Sequence, residues 1–492
     1  MNFKRGLSII LCLSMSGLLA CGSSGESVVT DTDTGALESD SAEITSARIE
    51  PDLPDKKWEG YEFRVLTKGD ANVHWKSKDI AAAEENGDII NDAVYKRNLA
   101  VSDRFGVTFV DIPSPDGTWN LTTPARTSIL ADSDDYDMIA GAPSEVVKNL
   151  APEGLLIDLQ EMPYIDLSKP WYDRNSIDQL SICGKVFCTT GDMLIMDDEA
   201  TLGILFNKQI AEDYNLGDLY EIVKSGKWTL DLMTKMATDV SEDLDNDGKM
   251  GYEDQYGLTS EELNTYACMV GCGVQAVVRN GDELEFNVTS EKFIDAFEKS
   301  VKMNRDYDIT IHSAKISGVS DAYADVIDPA FVSGRIFFNL AGLVRVTHFR
   351  SMDIDFGVIP IPKYDEAQEK YYSMVSIPCS DSIAIPVSAS DPERTGAIIE
   401  ALSAEGYYTL KEAYYDTVLK TKGARDEESA EMLDLIFSNR IYDIGYMYNW
   451  GSLITSINQL EIGGNVSSTV ASKLTVAKTE MEKTIEDYKS LQ

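Results

Sequence analysis

Phe63-Arg64-Val65-Leu66 is an apolar run that gives way to a Gly69-Asp70 loop, and Val107-Thr108-Phe109-Val110 is a second such run further along. Between them Ile89, Ile90, Ala93, Val94, Ala100, Val101 and Phe105 recur close to every 3.6 residues, which predicts a helix over 88–105 ended by Gly106. A short helix over 125–131 and then Asp137-Met138-Ile139-Ala140 repeat the alternation. Strand, helix and strand in that order predict a parallel sheet with helices on both faces. Such sheets bind ligands beyond the carboxyl ends of their strands. Asp70, Trp75 and the Gly141-Ala142-Pro143-Ser144 loop therefore form a candidate rim.

The chain has 492 residues, more than one hydrophobic core usually organises, so two lobes are expected. Its 43% hydrophobic and 26% charged content is that of a globular protein, but its formal net charge is -40. A field of that sign repels phosphate backbones and anionic lipid, so nucleic acid is excluded as a partner, and neutral or cationic ligands are favoured. The three histidines, His74, His312 and His348, are too scattered to build a histidine metal site or triad.

Lys4 and Arg5 precede an apolar run over 7–19 that is too short for a permanent span and reads as a secretory signal over 1–20. Leu18-Leu19-Ala20-Cys21 resembles a bacterial lipobox, which implies cleavage before Cys21 and lipidation of its sulfur. More than one acyl chain there gives stable anchoring, whereas a single chain binds marginally. The polar segment over 21–58 lacks the apolar residues to fold and reads as a flexible tether. The protein is thus expected on the outer face of the cell membrane. Cys183, Cys188, Cys268, Cys272 and Cys379 remain; an odd number excludes a complete disulfide framework. Buried thiols are expected, with a Cys183–Cys188 bridge left open.

In the second half, Thr201 to Lys208 reads as a buried strand, helices follow over 219–225 and 229–237, and a hairpin turns at Asn280-Gly281-Asp282. A helix from Ser290 buries Phe293, Phe297 and Val301, and apolar strands follow at Ile336-Phe337-Phe338-Asn339, Phe356-Gly357-Val358-Ile359 and Ser382-Ile383-Ala384-Ile385. Beyond Asp391 the chain is largely helical. Asp243, Asp245, Asp247 and Gly248 spell the D-x-D-x-D-G opening of a calcium loop, with the Lys249 carbonyl at position 7 and Asp254 at position 12. Three carboxylates in phase repel one another unless a cation sits among them. A structural Ca2+ is expected, with a solvated acidic turn as the alternative; Asp254 in place of the usual Glu fits a loop-ordering ion better than a sensor.

Gly184-Lys185-Val186-Phe187, Leu205-Phe206-Asn207-Lys208, Gly226-Lys227-Trp228-Thr229, Asp254-Gln255-Tyr256-Gly257, Phe331-Val332-Ser333-Gly334-Arg335 and Phe356-Gly357-Val358-Ile359-Pro360-Ile361-Pro362-Lys363 follow one another along the chain. With the lipobox and tether, their order resembles the extracellular solute-binding proteins of ABC importers, the maltose-binding-protein-like group. The resemblance implies a two-lobed α/β fold of the periplasmic-binding-protein type II class, with hinge strands and a ligand cleft. By analogy 59–193 with 340–377 form the first lobe and 194–339 with 378–492 the second, the chain crossing near 194–199, 335–340 and 377–382. It also implies a monomer that receives a carbohydrate-like solute and passes it to an ABC transporter permease. The chain's length and its abundance of tyrosine depart from the group and leave the ligand open.

A sugar offers hydroxyls at its edge and C–H patches on its faces, so its site needs carboxylates, amides and flat aromatic rings. Candidates are Asp70 and Trp75 after the first strand, Asp197, Asp198 and Glu199 at the first crossing, Arg345, and the cluster Tyr446, Tyr448 and Trp450. For each aromatic the competing reading is core packing, and for the acidic run a solvated hinge surface. A peptide or another polar solute is the alternative ligand. An enzyme is not expected, because the sequence fixes no carboxylate pair at a defined separation and no nucleophile–base set. A tethered adhesive protein would show repeats, and none is present.

Overall fold

The computed structural model describes residues 48–69, 75–117, 119–281, 283–349, 355–415, 419 and 427–491. The signal, Cys21, most of the tether and Asp70 lie outside the described residues.

The described residues form thirteen strands: β1 (Tyr61–Thr67), β2 (Val107–Pro113), β3 (Met138–Gly141), β4 (Leu202–Asn207), β5 (Tyr256–Ser260), β6 (Val277–Asn280), β7 (Glu283–Phe286), β8 (Thr310–His312), β9 (Ile336–Gly342), β10 (Phe356–Ile359), β11 (Ser373–Met374), β12 (Ser382–Ala384) and β13 (Arg440–Ile441). They assemble into a four-stranded sheet in the order β12-β3-β1-β2 and a five-stranded sheet in the order β10-β4-β9-β5-β8. Each sheet is the centre of one lobe. In the first, β1 pairs parallel with β2 and β3, as the strand–helix–strand reading requires, and the helix Ile89–Phe105 makes the connection. Asp88 caps that helix on Ile90 N and Asn91 N, and Gly106 closes it at φ 72°.

Neither sheet is wholly parallel. β12 runs antiparallel to β3, and β4 runs antiparallel to both β9 and β10. These returns depart from the expected division of the chain. β9 lies in the middle of the larger sheet between β4 and β5, so 335–340 is not a crossing. β10 belongs to that sheet too, while β12 goes back to the smaller one, so the sheets do not follow the division of 340–377 from 378–492. An apolar run such as Ile336–Gly342, buried at every position, suits a central strand and a crossing equally well in sequence.

Three segments lie side by side where the lobes meet. Ser376 N donates to Ala200 O at 2.8 Å and Val375 N to Ile441 O at 2.9 Å, while Thr201 bridges Val375 and Ser373 pairs with Arg440. The apolar core runs on through this region: Leu66, Ile139 and Leu121 from the first lobe share a cluster with Ile204, Phe206 and Phe338 from the second. All five cysteines of the body are free; Cys188, Cys268 and Cys272 are buried, Cys183 and Cys379 half-buried, and no Cys183–Cys188 bridge is formed.

A candidate ligand cleft between the lobes

Residues at or just past the carboxyl ends of β1, β5 and β9 come together at the junction, where Cys379 feels both Lys68 and Glu261 and Gly342 abuts Glu199. The β1 loop is held close to the β2 loop: a Cβ on Gly69 would lie 2.8 Å from Ser114 O and 2.9 Å from Gly117 C, so only glycine lets the two backbones meet. This contact puts Trp119 beside Lys68, with Lys68 Nζ 5.4 Å from the indole centroid. Trp119 is 49% exposed. Lys68 is buried, pairs with Asp381 Oδ1 at 2.9 Å and donates to Cys379 O at 2.7 Å.

Trp75 follows on the same wall, half-buried, with its ring edge at the end of β9. A Cβ on Gly342 would meet Trp75 Cη2 at 3.3 Å and Glu199 O at 2.8 Å. Lys78 Nζ reaches the buried Glu199 carboxylate at 3.3 Å. Burial raises the Glu199 pKa, and Lys78 pulls against that rise. On the opposite wall Tyr323 donates to Glu261 Oε2 at 2.9 Å, and burial raises the Glu261 pKa as well. Arg345 lies 4.7 Å over the Tyr323 ring and pairs with Asp328 at 2.6 Å. Tyr446 is half-buried and stacks on Tyr266 at 6.1 Å and 16°. Cys379 feels both Lys68 and Glu261, and Tyr446 feels Cys379 and Glu261, so the two walls are in electrostatic reach.

The structure therefore gathers Trp75, Glu199, Arg345 and Tyr446 around one junction. It places Asp197, Asp198, Tyr448 and Trp450 elsewhere, and Asp70 lies outside the described residues. Asp197 and Asp198 are engaged by Arg440, which also pairs with Asp173 at 2.6 Å; Tyr442 donates to Asp173 at 2.9 Å and to Asp197 at 3.2 Å. Desolvation raises both carboxylates, and Arg440 offsets it. They tie the hinge segments together and line a small recess with Asp192, Lys411 and Arg440. Tyr448 and Trp450 are each only 4% exposed and belong to the core. They stack at 4.6 Å and 4°, Tyr448 hydroxyl meets Tyr488 hydroxyl at 2.7 Å, and Trp450 Nε1 donates to Thr484 Oγ1 at 2.9 Å. The helix Val466–Ser490 covers them. Trp119 and Lys68 were missed, although both sit just past strands whose carboxyl ends were already suspect.

The acidic loop forms a compact group of its own. One carboxylate oxygen from each of Asp243, Asp245 and Asp247 lies within 4.8 Å of the others. Backbone N–H groups of Asn246 and Gly248 donate to Asp243, that of Asp247 to Asp245, and that of Lys249 to Asp247, at 2.8 to 3.0 Å. Gly248 takes φ 82°, the reversal that its place in the motif requires. Asp254 is buried, and its two oxygens accept from Leu244 N at 2.9 Å and Gly251 N at 2.6 Å. Three hard oxygen donors suit a divalent cation such as Ca2+, with Asp254 bracing the loop from inside.

Two mixed sheets, each centred in its own lobe, with three hydrogen-bonded segments between them define a hinged two-lobed α/β fold. The same fold is found in ABC substrate-binding proteins. Lmo0181 from Listeria monocytogenes, solved with cycloalternan, superposes with a TM-score of 0.54 at 13% identity, over 86% of this chain and 99% of that one. MalE of Bdellovibrio bacteriovorus, bound to maltotriose, gives 0.55 at 12% identity over 86% and 100%. The maltose-maltodextrin binding protein of Alicyclobacillus acidocaldarius gives 0.53 at 12% over 85% and 100%. No protein-family model and no curated protein sequence matches the chain.

Proposed function

We propose that this chain is an extracytoplasmic receptor that closes on a sugar or oligosaccharide and delivers it to an ABC transporter permease. The observation that carries the reading is the pairing of Trp119, half of its surface open, with buried charged groups at the end of the smaller sheet. Trp75 and Tyr446 add ring surface, and Glu199 and Glu261 add acceptors for hydroxyls. The likeness in fold to proteins solved with cycloalternan and maltotriose supports a carbohydrate-like ligand. Hinge closure then supplies affinity by burying the solute between the lobes, without turnover. The lobes follow the sheets, and the receptor works as a monomer.

Cys21 carries the lipid anchor in this reading, and the lipobox spacing supports it. No helix of the described residues is long and apolar enough to cross a membrane. The Asp243–Asp245–Asp247 group holds a Ca2+ that orders its loop, assisted by the Lys249 carbonyl and braced by Asp254; the 4.8 Å grouping supports this. A thermal-shift series with mono- and oligosaccharides, with and without a chelator, tests both parts. Sugars are expected to raise the melting temperature. A shift with peptides and none with any sugar overturns the carbohydrate assignment.

A further inference from the structure

Three consecutive residues after the cleft tryptophan each grip a different point on the hinge segments. Ser77 Oγ donates to Asp381 Oδ2 at 2.6 Å, and both groups are buried. Lys78 reaches Glu199 Oε1 at 3.3 Å. Asp79 Oδ2 accepts from Ile195 N at 2.7 Å, while the Asp79 carbonyl accepts from Arg97, whose Nη1 also donates to Met193 O at 2.7 Å. Asp381 is in turn the partner of Lys68, next to Trp119. One short segment of the smaller lobe thus touches both the 193–199 stretch and the 379–381 stretch. Its first residue, Trp75, rests its ring at the end of β9 in the other lobe.

Stability alone does not account for this arrangement. Asp79 and Arg97 are completely buried, and Asp79 Oδ1 has no hydrogen-bond partner. Burying ionisable groups is costly, and an apolar packing of the same volume is often as stable or more so. What the polar version adds is direction, because each bond fixes one point of the segment against one point of the hinge.

We propose that Ser77, Lys78 and Asp79 are positioning residues that lock Trp75 to the lobe crossings and set the resting angle between the lobes. The clamp matters for ligand capture only if the cleft is the binding site, as inferred above, but the resting angle is a property of the free protein. A ligand leaning on Trp75 then acts on the hinge through these three bonds, and it can shift the lobe equilibrium only by the difference in its affinity for the two states.

The test uses the ligand-free protein and the variant Ser77→Ala/Lys78→Met, with Ser77→Ala alone as the mild control and Lys78→Arg on the Ser77→Ala background as the rescue. Amide hydrogen exchange should rise by about fivefold or more over 193–199 and 376–382 in the double variant, while the helix Glu291–Asn304 and the acidic loop exchange as before. Small-angle scattering should show a changed radius of gyration, and the arginine rescue should restore most of both signals. Unchanged exchange at the crossings, or an equal rise throughout the molecule, overturns the proposal. A wild-type protein that responds to no sugar would instead overturn the carbohydrate reading and leave these ligand-free results standing, so the two fail separately.

Discussion

Trp450→Ala and Trp119→Ala separate the core from the cleft. Trp450 is 4% exposed, stacks on Tyr448 at 4.6 Å, meets Phe286 edge-on at 6.3 Å and donates to Thr484. Truncating a buried tryptophan costs about 3–5 kcal/mol through lost transfer energy and the cavity left behind. Small domains have urea slopes of about 1–3 kcal/mol per M that increase with size, so a slope of about 4 here lowers the midpoint by about 1 M. Trp119 is 49% exposed, which for an indole of roughly 200 Å² leaves about 100 Å² for a ligand to cover. At about 25 cal/mol per Å² that is a ceiling of about 2.5 kcal/mol, or about 60-fold in Kd. Urea denaturation followed by circular dichroism, with calorimetric titration of whichever sugar stabilises the wild type, reads both quantities. The expected pattern is crossed: Trp450→Ala loses stability and, while folded, keeps its affinity, and Trp119→Ala loses affinity at an unchanged midpoint. If Trp450→Ala keeps its midpoint but cannot bind, the packing argument is wrong. If Trp119→Ala binds normally, the cleft has been placed in the wrong position.

Three further outcomes follow from the same geometry. Burial raises Asp79 from the usual carboxylate range to about 7, so between about pH 4 and 7 the folded chain holds a proton that the unfolded chain has lost. Its contribution is complete below about pH 4, is lost as pH rises through 7, and amounts to at most about 4 kcal/mol for this group alone; urea midpoints at pH 5 and pH 8 should converge in Asp79→Asn relative to wild type. Saturating Ca2+ should raise the melting temperature by about 1–4 °C, following a linkage of about 2.7 kcal/mol at a hundredfold excess over Kd, and Asp245→Asn/Asp247→Asn should abolish the rise. Gly342→Ala places a methyl 2.8 Å from Glu199 O, so backbone must shift at the hinge; a cost of about 1–3 kcal/mol in a urea titration is expected, with an altered fluorescence from Trp75.

Elements with a strong local signal were legible in the sequence. The helix over 88–105 was found at Ile89–Phe105 with its expected stop at Gly106, Thr229 caps the helix Leu230–Val240, and the Asn280-Gly281 turn joins β6 to β7. The acidic turn over 243–248 was legible because its spacing is local. What failed depended on pairings distant in sequence. Whether Ile336–Gly342 crosses between lobes or sits inside a sheet is settled by β4 and β5, and nothing in the run itself carries that information. Asp197 and Asp198 read as ligand carboxylates until Arg440, more than two hundred residues later, is seen to claim them. Trp450 reads as a cleft ring until Tyr448 and Thr484 close over it. Trp119 does not stand out in sequence because β2 runs on to Pro113, past the apolar run that ends at Val110.

β12 joins β3 in antiparallel register, Ser382 opposite Gly141, and so completes a sheet whose first strand begins at Tyr61. A chain emerging amino end first leaves that edge of the smaller sheet unsatisfied until some two hundred and forty further residues have followed β3, by which time all five strands of the larger sheet have been made. The larger half can mature first, while the smaller waits for its last strand, and a nascent fragment cut anywhere before β12 would carry a raw sheet margin open to pairing with its neighbours.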